Sequence, residues 1–352
     1  MKRFELLRSL GPDVWCGFFA LTPRAYWGRL RTGRSPFAPT FPDRHRHLPK
    51  ASLDGRGLSR EEYLRPTWRC DCHAPEIVAV ADDLRRGAAT DWDYAQAVFD
   101  FTAKEITHAL EGPPRGVVDT LRRGYGLCFE KVLLFIALAR AGGLPARYCR
   151  LRVELTADDD LAPWAQIPAR LAEILETKSD PRLREVAAAW RGLIRLVQGT
   201  IQARVAQSMS EGRPFTLERT EGPHPIAEVN VGGVWIPVDP SPGDAEAAFY
   251  GLPLERFGYL PMLLRLVRGS ISARIESPTR NLRVHALRLL FCVLARGALD
   301  CINLSVEESC QRGNKILEEV GRAEYIRKHR RFYVPVEGVS TLGITLPPYP
   351  TG

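Results

Sequence analysis

Gly126-Leu-Cys128-Phe-Glu-Lys-Val-Leu-Leu-Phe-Ile-Ala-Leu-Ala-Arg140-Ala-Gly-Gly-Leu-Pro145 is the stretch on which the fold turns. From Cys128 to Ala141 it is apolar on nearly every side, which predicts a helix at the centre of the molecule; Gly142-Gly143 stops it and Pro145 prevents a restart. At the other end Gly124-Tyr125-Gly126 lets the backbone turn sharply and sets Cys128 at the helix N-terminus. A thiol there is favoured as thiolate, because unpaired N–H groups and the helix dipole attract negative charge. The Cys128 backbone N–H is also open to an oxyanion. On this stretch alone a plain buried cysteine reads equally well, and that is the reading for Cys149 and Cys292.

Working outward, Ala146 to Leu155 alternates Tyr148, Arg150 and Arg152 against Cys149, Leu151 and Val153, a strand leaving the helix. Upstream, Glu76 to Arg86 reads as a short helix ended by Gly87. Asp91 caps a longer one running to about Leu110, with Ala95, Phe99, Ala103, Ile106 and Leu110 as its buried stripe. Gly112-Pro113-Pro114 breaks the pattern, and Val117 to Arg123 adds one more short helix. Downstream, residues 157–221 turn helical, with Leu183, Val186, Trp190, Leu193, Val197, Ile201 and Val205 at helical spacing. Strands resume at Ile226 to Val231 and Val234 to Asp239. Tyr259 to Arg330 reads as mostly helical, and the tail from Phe332 to Gly352 as extended over the surface. No internal repeat is present.

The segment from His224 to Asp239 holds two apolar-alternating runs around Gly232-Gly233, which predicts a hairpin with a two-residue turn. If Val231 faces Val234, then Asn230 faces Trp235, Glu228 faces Pro237, Ile226 faces Asp239 and His224 faces Ser241. His224 and Asp239 are then diagonal neighbours on one face, roughly 7–8 Å apart in the backbone, a gap an imidazole and a carboxylate can close. A carboxylate so placed fixes the histidine tautomer and leaves the other nitrogen for a thiol proton. A slip in register would break the pairing.

The chain has 352 residues, 45% hydrophobic and 26% charged, so a large core is expected and wholesale disorder is excluded. Glu5, Arg8, Pro12 and Asp13 interrupt any apolar run behind Met1, so no signal peptide is expected. Leu282 to Leu304 is the greasiest stretch, but Arg283, Arg288, Arg296 and Asp300 argue for a buried helix rather than a span. The eight cysteines need no disulfide framework, and a cytoplasmic location is expected. The net charge of +8 is densest between Arg24 and Lys50, a segment that also carries His45 and His47. Pro23, Pro36, Pro39, Pro42 and Pro49 keep that segment from being a groove-reading helix, so nucleic acid is an unlikely partner. An acidic carrier protein suits the charge, as does plain solvation.

Gly126-Leu-Cys128-Phe-Glu-Lys131, followed by Leu138-Ala-Arg140-Ala-Gly-Gly-Leu-Pro-Ala-Arg147, resembles the transglutaminase-like superfamily. The segment His224 to Asp239, with Glu228, Trp235 and Val-Asp239-Pro, is similar to that family's histidine and aspartate strands. The likeness covers about residues 60–245, beginning at Tyr63-Leu-Arg-Pro-Thr67. It implies an α+β fold of the papain-like kind, in which the cysteine-headed helix packs on an antiparallel sheet. It implies a catalytic triad of Cys128, His224 and Asp239 acting by acyl transfer through a thioester. On this reading residues 1–59 are a basic extension, 60–250 the catalytic core with a helical insertion at about 157–221, and 251–352 a helical extension. The inserted helices are either a lid or a packing elaboration.

The triad chemistry suits hydrolysis or transamidation of an amide or peptide bond, or amide synthesis from a carrier-bound acyl thioester to an amine. A non-catalytic binding module of the same fold is the remaining reading. Tyr125 is the candidate for a second oxyanion donor, with Trp68 and Trp92 behind it. Cys70, Cys72 and His73 lack a second ligand pair at matching spacing, so no metal is expected there. No cofactor is implied.

Overall fold

The computed structural model describes residues 61–109, 116–155, 170–212, 215–218, 224–266, 269–276 and 296–350, with positions 27, 30 and 31. The basic leader with His45 and His47, Leu110, the Gly112-Pro113-Pro114 break, Cys292 and most of the apolar run 282–304 lie outside the described residues.

Helix α1, Pro75–Arg86, has its proline in the first turn, where a missing N–H costs nothing. Helix α2, Asp91–Glu105, is opened by Thr90, whose hydroxyl accepts the Asp93 N–H at 3.1 Å while the Asp93 carboxylate accepts the Thr90 N–H at 3.0 Å. It ends short of the expected Leu110. Ile106 is already extended, and Thr107–His108 form strand β1. After α3, Val117–Arg123, strand β2, Tyr125–Gly126, runs parallel to β1 with His108 opposite Gly126. Two β-branched residues in succession weaken the helix here. The Thr107 N–H to Gly124 O bond at 2.8 Å and the Ala109 N–H to Gly126 O bond at 2.9 Å replace the helical ones. The early ending brings His108 within reach of Cys128.

Helix α4, Cys128–Ala141, is the core. From Val132 to Ala139 no residue is more than 1% exposed, as its all-round apolarity requires. A Cβ on Gly142 would stand 2.2 Å from the Tyr94 ring, whose hydroxyl donates to Leu138 O at 2.6 Å, so the helix end admits only glycine. Arg140 is buried and donates to Ala146 O at 2.8 Å, Arg65 O at 2.9 Å and Glu276 O at 2.7 Å. The family-like arginine is thus a clamp on three carbonyls around the helix end, which is how its charge is tolerated inside.

Strand β3, Ala146–Leu155, is followed by a short helix at 170–176 and then α5, Pro181–Ser210. Strand β4, Phe215–Glu218, follows, then β5, Ile226–Val231, and β6, Val234–Val238. Helices α6, Asp244–Tyr250, and α7, Met262–Leu266, precede strand β7, Gly269–Ile275, and helices α8, Arg296–Val320, and α9, Arg322–Lys328, follow it. One antiparallel sheet is built in the order β4-β3-β5-β6, with β7 also on β3. The α+β class is as expected.

Two strands correct the sequence reading. β4 lies in a block read as helical, and β7 in another. Ile271, Ala273 and Ile275 alternate with Ser270, Ser272 and Arg274, a period of two hidden between longer helical patterns. The hairpin register is the counted one, Val231 opposite Val234 through Ala227 opposite Val238, and Gly232 and Gly233 have φ of 56° and 90°. Ala227, Val229, Val231, Ile236 and Val238 join α4 in one apolar core.

A second apolar cluster joins α6 and α8 with Leu171 of the short helix 170–176, and Trp190 packs against it. The tail is less superficial than expected, since Val336 and Val339 are buried in the main core and Tyr333 in the second. No helix among the described residues is long and apolar enough to cross a membrane.

Candidate active site

The start of α4 is held before the thiol is placed. A Cβ on Gly126 would meet Glu130 Oε2 and Thr120 Cγ2 at 3.0 Å, so the chain passes close under both. Buried Glu130 accepts the Leu127 N–H at 2.9 Å and a bond from Arg123 Nη2 at 3.2 Å. Cys128 is the first residue of the helix, where its N–H has no partner one turn back.

His224 and Asp239 sit just beyond the ends of the β5–β6 ladder, and His224 Nε2 is 2.7 Å from Asp239 Oδ2. Strict alternation would put them on the Glu228 face, away from α4, because Ala227 and Val229 face the helix. Leaving the ladder frees both to turn toward the helix end. Asp239 Oδ1 accepts the Ser241 N–H at 3.0 Å, and the Ser241 hydroxyl donates to the Cys128 carbonyl at 3.3 Å. His224 also hydrogen-bonds the Cys128 thiol. The imidazole side chain is 21% exposed and the carboxylate side chain 4%, so a substrate meets the ring but not the acid.

A second imidazole touches the same sulfur. His108, from β1, hydrogen-bonds Cys128, and its Nδ1 is 2.9 Å from Glu246 Oε1 on α6. Lys131, one turn along α4, is fully buried between these groups; its ammonium donates to Ala103 O at 3.4 Å and feels the charges of Glu246 and Asp239. Burial draws its pKa down to about 8 in spite of both carboxylates. His108, Glu246 and Lys131 were not singled out in the sequence. The signal for His108 was the β-branched pair before it, which argued against continuing the helix.

The electrostatics follow from that crowding. Burial alone would push the Cys128 thiol up, but the bonds from His108 and His224 outweigh it and draw the thiol down to about 6. Burial likewise opposes charge on His108, yet the Glu246 carboxylate holds it near 10. The Asp239 carboxylate, also against burial, holds His224 well above the usual imidazole value, and His224 in turn holds Asp239 low. Cys70, Cys72, Cys149, Cys301 and Cys310 are all pushed up, by burial first. Among the described cysteines Cys128 alone is drawn toward thiolate near neutrality.

Residues 78–240 match the transglutaminase-like superfamily. The chain carries a transglutaminase-like domain. That superfamily is one of cysteine-based acyl transfer and proteolysis. The matched segment includes Cys128, His224, Asp239 and His108, and ends just before Ser241 and Glu246. No curated protein and no solved structure gives a significant match.

The other sequence candidates make different contacts. The Tyr125 ring faces the Arg123 guanidinium at 5.4 Å. Trp68 is exposed beneath Arg69, and Trp92 packs on Phe257 at 4.8 Å. Cys70 and Cys72 are buried thiols directed at the Leu133 and Leu64 carbonyls. No group of three metal-ligating side chains occurs among the described residues. A cavity of about 530 Å³ between Trp92, Lys104, Asp244, Arg256 and Arg322 is lined by none of Cys128, His108, His224 and Asp239.

Proposed function

We propose that the transglutaminase-like domain is a cysteine acyl-transfer enzyme with Cys128 as nucleophile, His224 as proton carrier and Asp239 as the carboxylate that orients His224. The observation that carries this is the thiol drawn to about 6 between two imidazoles, one of them braced by Asp239 at 2.7 Å.

The Cys128 proton passes to His224, and the thiolate attacks a carbonyl carbon. The carbonyl electron pair moves to oxygen, where the Cys128 N–H stabilises it. The sequence singles out Tyr125 as a further donor there. Collapse re-forms the carbonyl and expels the leaving group, which takes the proton from His224. Water or an amine, deprotonated by His224, then resolves the thioester and restores the thiolate beside a protonated His224.

Amide and peptide carbonyls are the favoured substrates, with hydrolysis or transamidation as the outcome. The test is intact mass after incubation with a panel of peptides and amides and a panel of acyl thioesters. An acyl adduct on the wild type and none on C128A is the expected result. No adduct from either panel, with amine withheld and samples acid-quenched at early times, would remove the acyl-enzyme. Adducts from thioesters alone, resolved by added amine alone, would turn the reading to amide synthesis, for which the net charge of +8 suits an acidic carrier.

A further inference from the structure

The thiol has two histidines, and the triad uses only one. His224 and Asp239 are sufficient to accept and return the proton, so the His108–Glu246 pair is left without a part. It is built with the same care. β1 exists only as the ladder that sets His108 opposite Gly126, and α6 supplies Glu246 at 2.9 Å. The His108 side chain is 27% exposed and that of Glu246 10%, so the ring reaches the site while its carboxylate is shielded.

We propose that His108 is a catalytic residue whose Nε2–H, held as imidazolium by Glu246, donates to the oxyanion formed when Cys128 attacks. This rests on the reading of Cys128 as nucleophile. Nδ1 is occupied by Glu246, so Nε2 is the nitrogen facing the sulfur. In the resting site that N–H bonds the thiolate. When sulfur binds the carbonyl carbon it loses its charge, and the charge appears on an oxygen one bond further on. The donor follows the charge across a short distance, and its interaction is retained on the oxygen where the negative charge develops. It joins the Cys128 N–H as a donor of the oxyanion hole.

A proton-transfer role is already filled by His224, which Asp239 orients at 2.7 Å, so a second proton carrier on the same sulfur has no step to serve. The titratable groups acting on His108 are Glu246 on α6 and Cys128 on α4; Lys131 on α4 and Cys310 on α8 act in turn on Glu246, and His224, paired with Asp239, on Cys128. Glu246 is the positioning residue, since it fixes both the tautomer and the charge of the ring.

The experiment compares two reactions of the same sulfur in the full chain. p-Nitrophenyl acetate acylates Cys128 with a leaving group that needs no proton, so its burst reads thiolate fraction and oxyanion stabilisation. Iodoacetamide alkylates Cys128 without forming an oxyanion, so it reads thiolate fraction alone. H108F is expected to lose about 10²-fold in acylation beyond its loss in alkylation, the cost of one oxyanion donor. H108Q, which keeps a neutral N–H, should recover part of that loss. Equal losses in both reactions would overturn the proposal and leave His108 as a support for the thiolate.

If H108F fails to fold, E246Q serves. Without the Glu246 charge the His108 pKa falls, so the acylation rate corrected for thiolate should decline with rising pH across the neutral range, where the wild type stays flat. An unchanged profile would overturn the proposal. C128A separates the two readings: a burst that survives it removes the nucleophile itself, whereas a silent C128A beside an unaffected H108F removes only the role of His108.

Discussion

Ser241 bridges the acid and the nucleophile: its hydroxyl donates to the Cys128 carbonyl at 3.3 Å while its N–H donates to Asp239 Oδ1 at 3.0 Å. Asp239 arrives from the end of β6 and Cys128 from the start of α4, and this residue ties the two together. Substituting S241A removes the hydroxyl bond and keeps the N–H. A stability loss of about 1 kcal/mol in urea denaturation is expected, with a fall of about fivefold in Cys128 acylation if the whole of that energy serves alignment. Lowered stability with an unchanged acylation rate would show that the bond serves the fold alone.

Gly313 on α8 makes a comparable link at longer range. A Cβ there would stand 1.7 Å from the Ala245 carbonyl, and Ala245 precedes Glu246. Alanine in place of a helical glycine gains about 1 kcal/mol in propensity, whereas a clash with backbone costs about 1–3 kcal/mol. We expect the clash to win. G313A should therefore lower stability and displace α6, and the pH midpoint of Cys128 alkylation should rise from about 6 as the His108–Glu246 support loosens. An unshifted midpoint would mean that α8 absorbs the strain without moving Glu246.

What could be read in advance follows from how local the determinants are. The helix Cys128–Ala141 was legible because its ends are written beside it, and the hairpin register because Gly232-Gly233 fixes where counting begins. The approach of His224 to Asp239 at 2.7 Å followed from that count. His108 was not read, because the amphipathic spacing of α2 carries through Ile106 and the β-branched pair Ile106-Thr107 is a weak local signal beside the pairing with distant Tyr125–Gly126. Glu246 was hidden for a like reason, since α6 gains its place by packing on α8 some fifty residues later. β7 reads as alternating once it is found, but nothing local marks β3 as its partner.

On the sheet face away from α4, Glu228 is 3% exposed and receives Arg147 Nε at 2.7 Å and Arg274 Nε at 2.9 Å, while Arg147 also lies 3.7 Å over the Trp235 ring. The two ion pairs are unequal. The Arg147 side chain is 14% exposed and that of Arg274 46%. E228A leaves Arg147 buried without its carboxylate, which should cost about 3 kcal/mol. R274A, at the solvent-screened pair, should cost less than about 1 kcal/mol. Urea denaturation of both variants checks the order, and equal losses would contradict it. The alkylation midpoint of Cys128 should move in neither, since no part of the pair touches the thiol site.

Glu255 carries the opposite kind of burial. It is 8% exposed, and its Oε1 accepts the Met262 N–H at 2.9 Å. Burial, and then the negative charge of Asp239, hold its carboxyl well above the ordinary 4.5. A group whose folded pKa is raised contributes stability that is complete below its unfolded value and is lost as pH rises through the folded one. Glutamine keeps an oxygen for the Met262 N–H and never ionises. E255Q should therefore differ little from the wild type near pH 5 and become the more stable of the two as the pH rises toward about 8. Urea denaturation of both proteins at the two pH values decides it. A difference that stays constant would mean that Glu255 does not change its protonation on folding, and that the charge beside Asp239 is offset by other means.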